Sequence, residues 1–275
     1  ISGLVGSEMC IRDRSTKIIL VGDQERVGMV SSQFDSIEFK SNHREFFCHT
    51  GLYKNKRISV LSTGIGTDNI DIVVNELDAA FNINLETKEE KQELTQLEII
   101  RIGTCGLLQA DIPVHSYVLS EYALGLDNVG HFYALKYTDK EKELLKAIQD
   151  CSIFPEYIIP YIKKASSNFV EKFETEHTIK GITVTSSGFY APQGRALRLP
   201  THTSDLHEKL EIFKHNSHRF VNFEMESSAL FALGTALGHY CATICLGIAN
   251  RPAKEFSSDY NSHMKDLIQH VLKRL

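Results

Sequence analysis

The stretch IIRIGTCGLL, residues 99–108, indicates the fold class of this chain. It is apolar except for Arg101 and its polar end, where Thr104 stands between glycines. A short apolar run bounded by glycine predicts a strand that is buried on both faces. Six more runs of this kind, separated by helical patterns, occupy residues 17–22, 58–63, 116–122, 182–187, 219–224 and 242–250. Strands that alternate with helices predict an α/β fold with a parallel or mixed central sheet.

Two amphipathic patterns predict helices between and after these strands. Behind the second strand, apolar residues recur at the spacing of one helical face, and Thr67 or Asp68 is placed to cap that helix. The face consists of Ile70, Val73, Val74, Leu77 and Phe81. A similar stripe from Met264 to Leu275 predicts a final helix that starts behind Ser257.

Other segments interrupt this alternation. Residues 84–98 are rich in charged side chains and predict a solvated helix or an insertion, whereas residues 139–180 have a helical pattern. The first fourteen residues, ISGLVGSEMCIRDR, lack the apolar segment of a signal peptide. We interpret residues 1–14 as an artefactual extension and residues 15–275 as a single domain.

Composition restricts the class of function. The chain has 275 residues, of which 42% are hydrophobic, and its formal net charge is −5. This length and apolar share suffice for one domain with a substantial core. The acidic balance argues against general binding to nucleic acid or to anionic membranes, because both need a basic face. No apolar run approaches the roughly 20 residues that a membrane-spanning helix needs.

Cysteine and histidine spacing indicates no metal site. The six cysteines are scattered, fit neither a disulfide framework nor a zinc pair, and predict reduced thiols in a cytoplasmic protein. Four histidines lie in a polar stretch without a carboxylate pattern, which favours a solvated loop or helix. These are His202, His207, His215 and His218. Asp127, in the sequence GLDN, is typical of a turn.

Polar residues gather where the predicted strands end, which is where ligands bind in sheets of this kind. Gly22 ends the first strand, and Arg26 follows four residues later. Gly64 and Gly66 open the helix that follows the second strand and offer free amides to an anion. Arg101 lies among apolar neighbours in a buried strand, so it either forms a structural ion pair or binds an anion. The residues alone favour neither alternative.

A pair of carboxylates marks another strand end. Glu224 and Glu226 flank Met225 at a strand-to-helix junction. Carboxylates two residues apart in a strand face the same way, where they pair with cations or bind hydroxyl groups. Capping of the following helix is the alternative, and it remains open for Glu224.

Taken together, these segments resemble nucleoside phosphorylases of the purine/uridine phosphorylase superfamily, and the uridine branch in particular. The resemblance covers about residues 16–275, and its most specific motifs are RIGTCG and NFEMES. The supporting motifs are GDQER, HREF, STGIGTDN, GFYAPQGR and GIANR. It implies a pentosyltransferase with one α/β domain, whose central mixed sheet is partly barrel-like and flanked by helices. It also implies homodimers or hexamers built from dimers.

The resemblance implies a phosphate site and a ribose site. The residues that would bind phosphate are Gly22, Arg26, Arg101, Thr104 and, from the neighbouring subunit of a dimer, Arg44. Met225 and Glu226 would hold the ribose hydroxyls beside Cys105. Inorganic phosphate is the co-substrate and no organic cofactor is expected, although some family members bind a monovalent cation such as K⁺ near the position of Glu45.

The base site follows from the same resemblance. The residues that would cover and read the base are Gly106, Phe189, Gln193, Arg195 and Arg251. Arg101 would act on phosphate, Glu226 on the ribosyl cation that develops, and Arg195 on the negative charge of the departing base. Such donors stabilise a leaving anion in the manner of an oxyanion hole.

The choice of base depends on one replacement. Purine-specific relatives have an Asp after the last strand, where this chain has Asn250 and Arg251. That difference favours a pyrimidine nucleoside and argues against hydrolytic nucleosidases. A purine or broad-specificity phosphorylase is the alternative enzyme. A weakly active nucleoside-binding relative is the alternative class, because Cys105 replaces a Thr or Ser and no N-terminal His matches that of the relatives.

Overall fold

The computed structural model describes residues 14–275, so residues 1–13 of the predicted extension lie outside the described residues. The predicted α/β class is confirmed. Its strands are β1 (Lys17–Val21), β2 (Ser36–His43), β3 (Phe46–Tyr53), β4 (Lys56–Ser62), β5 (Ile83–Asn84), β6 (Glu89–Glu90), β7 (Glu98–Leu107), β8 (Tyr117–Gly125), β9 (Tyr161–Lys164), β10 (Thr178–Thr185), β11 (Lys214–His215), β12 (His218–Glu224), β13 (Tyr240–Asn250) and β14 (Glu255–Phe256).

The helices lie between these strands and at the carboxyl end. They are α1 (Gln24–Ser31), α2 (Thr67–Asn82), α3 (Asp139–Asp150), α4 (Ser167–Val170), α5 (Leu206–Ile212), α6 (Ser227–Ala236) and α7 (Tyr260–Arg274), with short 3₁₀ helices at Val129–Phe132, Glu171–Phe173 and Ala191–Gln193. Within the range 14–275, no helix has both the length and the apolar character needed to cross a membrane.

The central sheet is mixed and partly closed. Of the strands described in residues 14–275, twelve join in one sheet with the main order β11-β12-β10-β8-β13-β7-β1-β4-β3-β2. Strand β12 also pairs with β7, through Asn222 with Leu107 and Phe223 with Gly106, so five strands close into a ring. Strands β1, β4, β3 and β2 extend from β7 as an open arm. The partly barrel-like sheet that the resemblance implied is therefore confirmed.

Strand β7 is shared by the ring and the arm, which explains its apolar sequence. It pairs in parallel with β1 on one side and with β13 on the other. Ile99, Ile100 and Ile102 are fully buried, as expected for a strand covered on both faces. Because β1, β4, β7 and β13 run in parallel, their carboxyl ends lie at one edge of the sheet.

Two helix starts differ from the prediction. Helix α2 is preceded by Gly66, with φ of 102°, and neither Thr67 nor Asp68 caps it, because both are already inside the helix. The final helix is capped by Asp259, whose carboxylate accepts from the amide of Ser262, and not by the Ser257 region.

Two segment predictions hold only in part. The charged segment after α2 contains the short hairpin β5–β6 and no helix, consistent with an insertion. The segment 139–180 is helical in α3 and at 167–173, but it also contains β9, which pairs antiparallel with β8. Strand β9 is only four residues long, so it is too short to show a period of its own.

Candidate active site

Arg101 lies on strand β7 and is 5% exposed. Its guanidinium group lies over Gly103, where an added Cβ atom would overlap Nη1 of Arg101 and lie 2.9 Å from Sγ of Cys245. Residues two apart in a strand share a face, so only glycine at position 103 leaves room for this side chain. Sequence reasoning missed the role of Gly103, although the RIG spacing contains it.

Arg101 is paired with carboxylates in this structure. Its Nη2 atom donates to Oε2 of Glu226, and its Nη1 atom lies 3.4 Å from Oε2 of Glu224 and 3.6 Å from Sγ of Cys245. Its buried Nε atom has no partner among the described residues. Burial disfavours the charged form, but the carboxylates of Glu226 and Glu224 outweigh it and raise the pKa of Arg101.

Glu224 caps the following helix, as one alternative predicted. Its carboxylate accepts from the amides of Glu226 and Ser227, both at 2.9 Å, and from the hydroxyl of Thr185 at 2.5 Å. Burial raises the pKa of Glu224, and the ion pair with Arg101 opposes that effect. These contacts hold the backbone that carries Glu226.

Glu226 joins two strand ends. It is the residue before α6, and its Oε1 atom accepts from the amide of Gly66 at 2.8 Å while Oε2 accepts from Arg101. The glycine turn after β4 therefore donates its free amide to a carboxylate, and not to a solvent anion. Met225 is half-buried at the same junction.

Arg26 lies beside Arg101. It is in the first turn of α1, is 7% exposed, and donates from Nη1 to the carbonyl oxygen of Ile102 at 3.4 Å. Burial lowers the pKa of Arg26, and the neighbouring positive charge of Arg101 lowers it further. Two guanidinium groups from separate strand ends thus converge on one region.

The turns after β1 and β4 meet the hairpin between β2 and β3. A Cβ atom at Gly22 would lie 3.4 Å from the Gly64 carbonyl oxygen, and one at Gly64 would lie 3.3 Å from Cγ of Glu45. Arg44 is exposed in this hairpin, with φ of 54°, and its carbonyl accepts from Nε2 of Gln24 at 3.2 Å. The carbonyl of Glu45 accepts from Ser62 at 2.5 Å.

The end of β7 carries three further predicted site residues, Thr104 for phosphate, Cys105 for ribose and Gly106 for the base. Thr104 is half-buried. Cys105 is a buried free thiol, and burial raises its pKa well above the ordinary value, so it is a packed side chain and not a nucleophile. A Cβ atom at Gly106 would lie 3.8 Å from Nη2 of Arg195, so the base-site loop, the segment 189–195 that the resemblance assigned to the base, reaches this strand.

The loop that follows β10 folds around Arg195. Its Nη1 atom donates to the Phe189 carbonyl oxygen at 2.5 Å and to Oε1 of Gln193, and its guanidinium stacks 3.8 Å from the ring centre of Phe189. Gln193 is 3% exposed and Phe189 is 52% exposed. Burial, and then the charge of Arg251, lowers the pKa of Arg195 to about 10.

Arg251 and His207 complete this cluster. Arg251 donates to the carbonyl oxygen of Gln193 at 3.0 Å, and its Nη1 atom contacts Nε2 of His207. The interpretation of His207 as solvated was therefore wrong. The polar sequence around His207 does not indicate its burial, because the contact of α5 with the core is made by the neighbouring Leu206.

Asn250 has a structural role. It is fully buried, donates to the carbonyl oxygens of Gln109 and Ile112 at 2.9 and 2.6 Å, and accepts from the amide of Ala253 at 2.9 Å. Its amide is therefore committed to backbone partners, and Arg251 is the residue of this segment that contacts the base-site loop.

Known proteins resemble this chain over almost its whole length. The family model described as the phosphorylase superfamily matches residues 16–275. A uridine phosphorylase of Thermococcus kodakarensis is 31% identical over 89% of this chain and 76% of its own length. A uridine phosphorylase of Haemophilus influenzae is 28% identical over 89% and 84%. A DeoD-type purine nucleoside phosphorylase of Buchnera aphidicola is 25% identical over 95% and 94%.

Solved structures agree with these relatives. A Trypanosoma brucei nucleoside phosphorylase, described as showing uridine phosphorylase activity, superposes with a TM-score of 0.88 at 28% identity and covers 96% of this chain and 94% of its own. A uridine phosphorylase structure from Phytophthora capsici, with a TM-score of 0.69 at 19% identity over 95% and 90%, supports the fold alone. The chain belongs to the phosphorylase superfamily, and it is a nucleoside phosphorylase, a pentosyltransferase that resembles uridine phosphorylases.

Proposed function

We propose that the enzyme catalyses the reversible phosphorolysis of a pyrimidine nucleoside, converting uridine and phosphate to uracil and ribose 1-phosphate. One observation carries the proposal: the contact between Arg101 and Glu226 joins an anion-binding group to a hydroxyl-binding group at the end of β7. The same strand end reaches the Arg195 loop through Gly106. These contacts support adjoining positions for phosphate, sugar and base along one strand end.

In this proposal Arg26 and Arg101 bind phosphate under the anomeric carbon. Guanidinium groups bind phosphate in a bidentate manner, and the unpartnered Nε atom of Arg101 supplies a further donor. The hydroxyl of Thr104 and the amide of Gly22 add neutral donors. Holding phosphate in this geometry replaces an encounter from solution by an attack within the complex.

Glu226 serves the sugar in the same scheme. When phosphate takes the guanidinium of Arg101, the Glu226 carboxylate becomes free to accept from the ribose hydroxyls. Its negative charge also favours the positive charge that develops on the ribosyl ring as the glycosidic bond breaks. Met225 would pack against the sugar. Cys105 would also pack there, but it lacks the hydroxyl group of the Thr or Ser that it replaces.

The base site is made for oxygen acceptors. Arg195 and Arg251 are donors only, and the Gln193 amide can donate and accept, which suits the O2, N3–H and O4 edge of uracil. Positive charge here also stabilises the uracil anion as it departs. A base with an amino group at the O4 position would place donor against donor and is disfavoured.

Product analysis tests the substrate. Uridine, thymidine, inosine and adenosine are incubated with the enzyme, with and without phosphate, and the free base is measured. We expect uracil from uridine only when phosphate is present. Preference for inosine or adenosine would support the purine alternative, and base release without phosphate would show a hydrolase. Calorimetric uridine binding without turnover would support the weakly active relative.

We also propose that the enzyme works as a homodimer or a larger oligomer in which Arg44 of one subunit serves the phosphate of its neighbour. Arg44 is exposed at a hairpin tip, which suits a contact across an interface. Equal mixing of inactive Arg44→Ala and Arg101→Ala subunits gives dimers of which about half contain one subunit of each kind. Each mixed dimer has one complete site out of two, so the mixture should regain about a quarter of wild-type activity. Mixtures as inactive as their components would contradict a shared site.

A further inference from the structure

The carbonyl oxygen of Gln193 is a meeting point for three elements. Nε2 of His207, from the first turn of α5, lies 2.8 Å from it. Nη1 of Arg251, at the end of β13, donates to it at 3.0 Å and also contacts Nε2 of His207. The adjacent Gly194, with φ of 66°, lets the ring approach, because a Cβ there would lie 2.8 Å from Nε2.

We propose that His207 is a positioning residue whose neutral ring holds Arg251 and the loop 189–195 in the geometry that binds the base. The inference rests on the function proposed above. In the neutral ring with its proton on Nδ1, which has no partner among the described residues, Nε2 accepts one N–H of Nη1 of Arg251. The second N–H of Nη1 donates to the Gln193 carbonyl, and the other nitrogens of the guanidinium remain available to the substrate. The ring itself is fixed by an edge contact with Phe223, at 5.8 Å between centroids.

Protonation of His207 would release this arrangement. An imidazolium has no acceptor, so Nε2 could then only donate to the Gln193 carbonyl and would repel Arg251. The charged groups that act on the ring are Arg251 from the end of β13 and Arg195 from the loop, while β12 presents the apolar Phe223. Protonation would thus place a third positive charge beside two guanidinium groups.

The direction of the pH dependence follows from this environment. Burial, and then the charge of Arg251, lowers the pKa of His207 below its ordinary value. The folded protein therefore favours the neutral ring, and the arrangement is complete above the ordinary histidine pKa of about 6.5. In the folded enzyme it weakens as the pH falls through the lowered pKa of His207, so the KM for uridine should rise in acid.

The test compares the wild type with His207→Gln and His207→Phe between pH 5 and pH 8. Glutamine can accept from Arg251 and does not titrate, whereas phenylalanine keeps the ring and loses the nitrogen. At pH 7.5 we expect His207→Phe to raise the uridine KM about tenfold, as for a lost hydrogen bond to a charged group. The KM of His207→Gln for uridine should stay within about threefold of the wild-type value and should not show the rise that the wild type shows in acid.

Two further measurements separate this role from simple loss of structure. The KM for phosphate should match between variants at each pH, and exposed His202→Gln should behave as the wild type throughout. Hydrogen exchange of amides 189–195 in the absence of substrate should become faster in acid for the wild type than for His207→Gln. That readout decides the role of His207 even if uridine is not the substrate.

Several results would overturn the proposal. One is a wild-type uridine KM in His207→Phe at pH 7.5. Another is an acid-side rise in KM that is the same in the wild type and in His207→Gln. A loop whose hydrogen exchange is identical in these two proteins across the pH range would also exclude it.

Discussion

At the scale of single residues, Arg101 explains most of the site. An arginine in a buried strand is costly unless an anion compensates it, and the residue pattern could not distinguish a structural ion pair from a ligand site. In the structure the partners are Glu226 and Glu224, yet Nε remains unpartnered among residues 14–275. A pair that is structural without ligand, and that phosphate would displace in the proposed reaction, would satisfy both alternatives.

Arg101→Lys tests that exchange. Lysine keeps a positive charge beside the two buried carboxylates, so the protein should fold, but it lacks the planar fork that binds phosphate in a bidentate manner. We expect kcat/KM for phosphate to fall by about 10²-fold or more, measured by steady-state uracil release.

The matched control is Arg219→Lys, at a bidentate pair with Asp111 on the surface, where both distances are 2.8 Å. That variant should keep wild-type kinetics. If Arg101→Lys keeps the phosphate KM of the wild type, Arg101 does not bind phosphate.

At the scale of elements, strand β7 contributes to the candidate site through two glycines, which leave space for the side chains of two arginines. Gly103 and Gly106 are the positions over which the guanidinium groups of Arg101 and Arg195 lie. The sheet holds both glycines, because β13 pairs in parallel with Gly103 and Gly106 and β12 pairs antiparallel with Gly106. A small addition at Gly103 must therefore move Arg101 and not the strand, whereas a Cβ atom at Gly106 would only make an ordinary contact with Arg195 at 3.8 Å.

Gly103→Ala should displace Arg101. The added Cβ would overlap Nη1 of Arg101 and crowd Sγ of Cys245 at 2.9 Å. Because misplacement of a catalytic group by about 1 Å can cost on the order of 10²-fold, we expect kcat/KM to fall by about that factor. Circular dichroism should show that the fold is kept.

Gly28→Ala is the control for this substitution. Gly28 lies in α1 with no atom within 4 Å of an added Cβ, so alanine should preserve activity and stabilise the helix by up to about 1 kcal/mol. Equal activity of the two alanine variants would show that Gly103 does not position Arg101.

At the scale of the whole molecule, a buried polar network joins distant parts of the chain to the site. Tyr161 of β9 donates to Asp127 at 2.8 Å, and Ser228 of α6 donates to the same carboxylate at 2.7 Å. The amide of Ser228 donates to Thr185, which in turn donates to Glu224. The predicted turn role of Asp127 is confirmed by its bond from the amide of Val129, but the wider network is tertiary.

Tyr161→Phe should weaken this network without changing the packed ring. Removing one donor leaves the buried Asp127 carboxylate under-satisfied, which costs about 1–3 kcal/mol of unfolding free energy. Urea denaturation monitored by circular dichroism measures the loss. Tyr157→Phe, at a tyrosine that is 69% exposed, should be neutral. A similar small effect for both variants would mean that the network adds no stability.

The sequence by itself determined the class of fold, the buried strands and the strand ends at which polar residues gather, because burial periodicity and glycine punctuation are local properties. The motifs around Arg101 and Glu226 could be found in the sequence because each is a short, continuous stretch. Only the tertiary structure decided that Arg101 pairs with Glu226, that Asn250 is committed to backbone, and that His207 meets the base-site loop. These contacts join residues far apart in the chain, and no local pattern records which distant side chain satisfies a buried polar group.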